Sequence, residues 1–197
     1  KTSSDKFVGI LSMGDVHRRN KSSNTTAGAA DGAEVCLAAK LAAASEENAD
    51  TTRLSEPTVY LEKATGKALE VLSRNNQQGF FLMIESAIID GYGHNNDSEG
   101  MIEEMKEFDC TLKQLVAYVN QHPETLLVVT ADHETGGLTL VDGDLQKGEI
   151  KCKFSTGSHS GVMVPVYAFG PGAEHFTGLY ENTAIFDKIA TLLKLKK

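Results

Sequence analysis

Gly79 to Asp97 reads GFFLMIESAIIDGYGHNND, and this stretch decides the fold. The first half is a near-continuous apolar run. A strand half-exposed to water alternates, whereas one covered on both faces reads this way, as in a parallel sheet flanked by helices. The run ends abruptly in Glu85, then Asp90 and His94 in a segment with Gly91 and Gly93. In parallel α/β sheets ligands collect beyond the carboxyl ends of the strands. A carboxylate, an aspartate and a histidine at such an end point to a metal site. Gly91 and Gly93 suggest a turn that lets Asp90 and His94 fold inward.

Working outward, the pattern repeats. FVGILS (Phe7 to Ser12) predicts a first buried strand. Ala-, Ser- and Thr-rich chain follows to about residue 53, with helix propensity in EVCLAAKLAAAS and loop-like flanks. Ser55 as a cap, Pro57 in the first turn, and Leu61, Ala64, Ala68 and Leu72 at helical spacing predict a helix. Asn75, Asn76 and Gly79 close it. Met101, Met105, Phe108, Leu112, Leu115 and Val119 form one apolar stripe on a longer helix that stops at His122-Pro123. Cys110 is read as lying on its core side. LLVVTADH is the next buried strand. A β excursion over 138–154 follows, LTLVDGDLQKGEIKCKF, with Asp142-Gly143 as its turn signal. VMVPVYAFG is a further strand and TAIFDKIATLLK a closing helix. This order predicts an α/β fold with a mainly parallel sheet flanked by helices, and no internal repeat.

The composition agrees with a soluble globular chain. Of 197 residues, 41% are apolar and 23% charged, with a net charge of −8. That acidity argues against a nucleic-acid or membrane-surface binder, though bound cations can reverse a local field. No apolar run reaches the about 18 residues that span a bilayer. The chain opens on KTSSDKFVGI with neither Met nor signal peptide, which reads as an internal start. Three cysteines without a CxxC pair argue against a Cys-based zinc site or a disulfide framework.

Three strand boundaries carry donors: Glu85, Asp90 and His94; Asp132 and His133 in VVTADHETGG; and His159 in STGSHSGVMVPV. Three carboxylates and three imidazoles suit two zinc ions with a magnesium beside them. Neighbouring Asp132 and His133 would face opposite ways in a regular strand, so they converge only where the strand has ended. Gly136 and Gly137 permit that turn. Any one histidine is more often plain surface or core, and His17, His122 and His175 stay in that class. Asp97, Glu99, Glu103 and Glu104 read as a solvated helix start. What distinguishes the six is that three separate strand ends coincide. Other motifs fail. His133-Glu134 opens like HExxH, but position 137 is Gly. An EF-hand reading from Asn95 puts Lys106 where Glu is needed. Phosphate-loop and GxSxG patterns are absent.

These segments resemble the alkaline phosphatase family. GFFLMIESAIIDGYGHNND, VVTADHETGGL and SHSGVMVPVYAFGPGAEHFTGLYENTAIFDKI are similar to its ligand-bearing segments, from about Leu54 to Leu193. The resemblance implies a partial α/β/α sandwich. Residues 1–197 would be the C-terminal part of one such domain: a loop-rich 1–53, then a metal-binding core, 54–197. It implies that Asp90, His94 and His159 hold a first zinc, which activates the hydrolytic water, and that Asp132 and His133 bind a second, which lowers the pKa of an attacking serine. Glu85 would bind magnesium. It implies phosphate monoester substrates, a homodimer, and a periplasmic or extracellular home.

The family's serine in its DSA-type segment, the aspartate bridging zinc and magnesium, further magnesium ligands and the phosphate-gripping arginine find no match here. TTAGAADGAE (Thr25 to Glu34) lacks the Asp-Ser pair and reads as loop. No catalytic residue is therefore assigned. Gly91 also departs from the polar or aromatic residue that often follows the first-zinc aspartate. A metal-binding module without catalysis, or a sulfatase, phosphodiesterase or phosphomutase of the wider superfamily, is the alternative reading.

Overall fold

A computed structural model describes residues 6–12 and 60–195. The helix expected around EVCLAAKLAAAS, the loop at Thr25–Glu34, the cap at Ser55, Pro57 and His17 all lie outside the described residues.

Four strands form the main sheet: β1 (Lys6–Ser12), β2 (Phe81–Ile84), β3 (Thr125–Ala131) and β8 (Val166–Phe169), in spatial order β2-β1-β3-β8. The first three run parallel, with Ile10 opposite both Ile84 and Val129. Strand β8 pairs antiparallel with β3, Leu127 facing Phe169. The sheet is thus mainly parallel with an antiparallel edge, as α/β proteins often have.

Strand β3 is buried from Thr125 to Val128, as its continuous apolar run requires. Strand β2 departs from expectation. Leu82 and Ile84 are buried, but Phe81 and Met83 only half so. It stands at the edge of the described sheet, and its pattern is that of a strand covered well on one face.

Helices α1 (Tyr60–Ser73) and α3 (Ser98–Gln121) cover one face. Their core joins Leu69, Phe108, Leu115 and Val119 to Phe80, Leu82, Ile84 and Leu127. The positions most buried on α1 are Thr65 and Leu69, with Leu61, Ala68 and Leu72 packed around them. Asn76 closes this helix: its Nδ2 donates to Leu72 O, and its Oδ1 accepts from the amides of Gln78 and Gly79. On the opposite face α4 (Ala184–Leu192) and a 3-10 turn, Ala173–Phe176, pack Ile185, Ile189, Leu192 and Phe176 on Leu126 and Val128. Along β8, Tyr167 and Phe169 stay exposed, 65% and 46%, and none of the described residues covers them.

Cys110 is exposed, not core. Two residues along a helix turn the side chain by about 200°, so a stripe that buries Phe108 sends position 110 outward. The excursion is a hairpin of β5 (Thr139–Asp144) and β6 (Glu149–Lys153), but its reversal comes later than expected. Asp142-Gly143 lies inside β5 beside a register shift, and the chain turns over Leu145–Gly148. Asp144 Oδ1 organises that turn by accepting from the amides of Gln146 and Lys147. No helix among the described residues is long and apolar enough to cross a membrane.

One acid on α3 is not simply solvated. Burial, then the charge of Glu107, holds the Glu104 carboxyl above the usual range. An acid with a raised folded-state pKa leaves stability intact below the ordinary value of 4.5 and erodes it as pH climbs through the raised value. Glu104→Gln is therefore expected to raise the urea midpoint at neutral pH and leave it unchanged in acid. Equal shifts at both pH values would contradict this.

Candidate metal centre

The site lies beyond the carboxyl ends of β2 and β3, where a mainly parallel sheet gathers its ligands. Glu85 follows β2 directly and is half-buried. Asp90 and His94 do not sit in an open turn. They lie on a short helix, α2 (Ile88–His94), whose i, i+4 spacing stacks them on one face. His94 Nε2 is 3.3 Å from Asp90 Oδ2. Gly93 is what lets this helix sit close: a Cβ there would meet the Thr135 side chain at 3.0 Å.

Strand β3 ends at Ala131, so Asp132 and His133 occupy a bend and escape strand alternation, as expected. A short strand, β4 (Glu134–Thr135), follows and pairs with β7 (His159–Ser160), Thr135 opposite His159. This pairing brings the third segment in. The His159 ring stacks on His133 at 3.5 Å between centroids. Its Nε2 lies 3.5 Å from Asp90 Oδ1 and 3.1 Å from His94 Nε2. Asp90, His133 and His159 each offer a ligand atom, all within 4.8 Å of one another. Five of the six sequence-predicted residues thus converge, and Glu85 stands on the same rim of the sheet.

The hydrogen bonds reveal which nitrogens are bare. His94 Nδ1 lies 2.8 Å from Gly157 O. A carbonyl only accepts, so Nδ1 carries the proton, and in the neutral ring Nε2 has a free lone pair. That lone pair points at His159 Nε2. His133 Nε2 is buried and has no hydrogen-bond partner among the described residues, although Asp132 Oδ2 lies 3.4 Å away. A buried polar atom without a partner costs about 1–3 kcal/mol. The partnerless Nε2 of His133 and the facing Nε2 atoms of His94 and His159, crowded against carboxylates, fit a divalent cation, which accepts lone pairs from both donor types.

Burial pushes the Asp132 carboxyl above its usual range, and the nearby Asp90 charge adds to the push. The charge of His133 and the backbone amides of Asp132 and His133 pull the other way without cancelling it. A cation beside these carboxylates would favour their charged forms.

Sequence reasoning passed over Glu134, Thr135 and Ser160. Glu134 accepts from the amides of Gly137 and Leu138, at 3.1 and 2.9 Å, and from Ser160 Oγ. Burial alone would raise this carboxyl, but the Ser160 hydroxyl and the two amides outweigh it and hold it below the usual range. The carboxylate therefore clamps β7, with His159, onto the bend that carries His133. Its only sequence signal was adjacency to His133, which invited a protease motif that failed. Losing hydrogen bonds to a charged acceptor costs about 1.5–3 kcal/mol. Glu134→Ala is expected to lower the unfolding free energy by about that amount, read from urea titration.

The alkaline phosphatase family model matches residues 3–151 and 146–195. Alkaline phosphatase 4 of Bacillus subtilis is 28% identical over 71% of this chain and 45% of its own length. The streptomycin-6-phosphate phosphatase of Streptomyces griseus is 30% identical over 71% of this chain and 36% of its own. Among solved structures, alkaline phosphatase from the Antarctic bacterium TAB5 superposes with a TM-score of 0.66 at 40% identity, covering 71% of this chain and 42% of that one. A variant of that TAB5 protein holds magnesium in its M3 site. The chain spans less than half the length of these relatives. Strand ends rich in acids and histidines, a mainly parallel sheet and the family match converge: the chain belongs to the alkaline phosphatase family.

Proposed function

We propose that this chain carries the metal-holding part of a phosphomonoesterase centre. Asp90, His94 and His159 would hold one zinc, Asp132 and His133 a second, and Glu85 a magnesium. The carrying observation is the bare, buried Nε2 of His133 beside the His94 and His159 pair at 3.1 Å. Residues 54–197 would form this metal-binding core.

Bound there, the ions would supply the positive charge that steadies the attacking and leaving oxygens of a transferred phosphoryl group. The protein's own residues prepare the place. The Gly157 carbonyl fixes the His94 ring so that Nε2 faces inward. Asp90, 9% exposed, adds negative charge where water is scarce. The β4–β7 pair holds the His159 ring against His133. Such pre-set ligands need little reorganisation when charge develops. Substrates would be phosphate monoesters, and the phosphoryl acceptor a serine outside this chain. Export and homodimer formation belong to the same reading and rest on family membership.

The test is a graft. Residues 60–195 replace the matching segment of the TAB5 protein, and p-nitrophenyl phosphate turnover is measured. Turnover that disappears with His159→Ala is expected. A folded, zinc-loaded graft without turnover would leave only a metal-binding module. The 197-residue chain alone is expected to hydrolyse this substrate hardly at all, and robust turnover by it would place the nucleophile within these residues.

A further inference from the structure

One hydroxyl lies between the two halves of the proposed centre. Thr135 is buried, 4% exposed, on β4. Its Oγ1 donates to Asp90 Oδ1 at 2.5 Å. The same oxygen lies 3.3 Å from His133 Nδ1. A hydroxyl has a single proton to give and lone pairs to receive with. With that proton committed to Asp90, the contact to His133 is satisfied only if Nδ1 carries a hydrogen. Nε2 of the neutral ring is then the bare nitrogen. That is the atom found buried without a hydrogen-bond partner.

We propose that Thr135 is a positioning residue that orients Asp90 and selects the metal-binding tautomer of His133, so that one hydroxyl prepares donors of both zinc positions. This rests on the metal-centre reading and deepens it. The backbone explains how one side chain does both. Asp90 is on α2 and His133 in the bend after β3, and Thr135 follows that bend by two residues. Its methyl faces α2, where a Cβ on Gly93 would meet Thr135 Cγ2 at 3.1 Å. The methyl thus spaces the helix while the hydroxyl aligns the ligands. Partners that orient metal ligands in this way are worth about 10–100-fold in affinity.

Two substitutions separate shape from hydrogen bonding. Thr135→Val keeps the volume and loses the hydroxyl, whereas Thr135→Ser keeps the hydroxyl. The 197-residue chain is prepared metal-free. Imidazole tautomers are read by two-bond proton–nitrogen correlation spectra at a pH of about 9, where histidines are neutral. Zinc affinity is then read by competition with a chromophoric chelator. The wild-type chain and Thr135→Ser are expected to show His133 protonated on Nδ1. Thr135→Val is expected to move the proton to Nε2 and to weaken zinc about 10–100-fold. A wild-type His133 protonated on Nε2 overturns the proposal whether or not zinc binds. So does a Thr135→Val chain with unchanged tautomer and affinity. A wild-type chain with the expected tautomer but no zinc affinity would instead overturn the metal-centre reading, and with it the inference built on that reading.

Discussion

Replacing His159 with alanine is expected to lower zinc affinity at least a hundredfold, with His94→Ala close behind. The magnitude follows from sharing: zinc sites of four ligands are worth about 10–16 kcal/mol in small proteins, so one ligand carries about 3 kcal/mol. His159 arrives on β7 from far along the chain and makes contacts with both neighbours, Nε2 to Nε2 with His94 and ring to ring with His133. Its loss removes a donor and also the stacking that keeps the His133 ring in place. His175, exposed on the 3-10 turn beside Glu174, is the control and should change nothing. Chelator competition on the three variants checks this. Equal affinity for the His159→Ala and His175→Ala chains would show that the cluster is not where zinc binds.

Gly136→Ala is expected to harm fold and site together. This residue has φ of +88°, a conformation that costs a side-chain-bearing residue about 1–3 kcal/mol. Space is also lacking. An added Cβ would fall 2.9 Å from the Gly93 carbonyl and 2.7 Å from the Phe154 ring. The ring can yield, but Gly93 O belongs to α2, the helix that presents Asp90 and His94. Gly136 also donates to Ser158 O and accepts from the amides of Ser155 and Thr156, so the loop leading to His159 hangs on the same backbone. A combined loss of about 2–4 kcal/mol in unfolding free energy is expected, with weaker zinc binding by the folded fraction. Leu115→Ala, at a side chain with 0% exposure in the α3 core, should cost a similar about 2–5 kcal/mol while sparing zinc affinity. If both variants treat zinc alike, Gly136 is merely structural.

Much of this was legible in the sequence, and the failures have physical causes. Strand β3 announced itself because a strand covered on both faces needs an unbroken apolar run. The α3 stripe gave its buried positions correctly at Phe108, Leu115 and Val119. It misplaced Met105, which is 48% exposed, and Cys110, where residue type spoke for the core and helical angle against it. Asp142-Gly143 signals a tight reversal, but the same pair tolerates a register shift, and only the pairing of β5 with β6 decides between them. The helical state of Asp90–His94 was hidden by Gly91 and Gly93, which each disfavour helix by about 1 kcal/mol. Close packing of Gly93 on Thr135 favours it, and no local pattern shows that contact. The clustered acids and histidines were visible because such residues are conspicuous at strand ends. Thr135 and Ser160 were not, because a supporting hydroxyl looks like any other threonine or serine until its partners are known.

The account stands or falls on cations at the rim of the sheet. Anomalous diffraction at the zinc edge, from crystals of this chain grown with zinc, tests it most directly. Strong peaks are predicted within coordination range, about 2.0–2.2 Å, of Asp90, His94 and His159, and of Asp132 and His133. Zinc bound only at surface positions, with the Nε2 atoms of His94 and His159 hydrogen-bonded to each other, would contradict it.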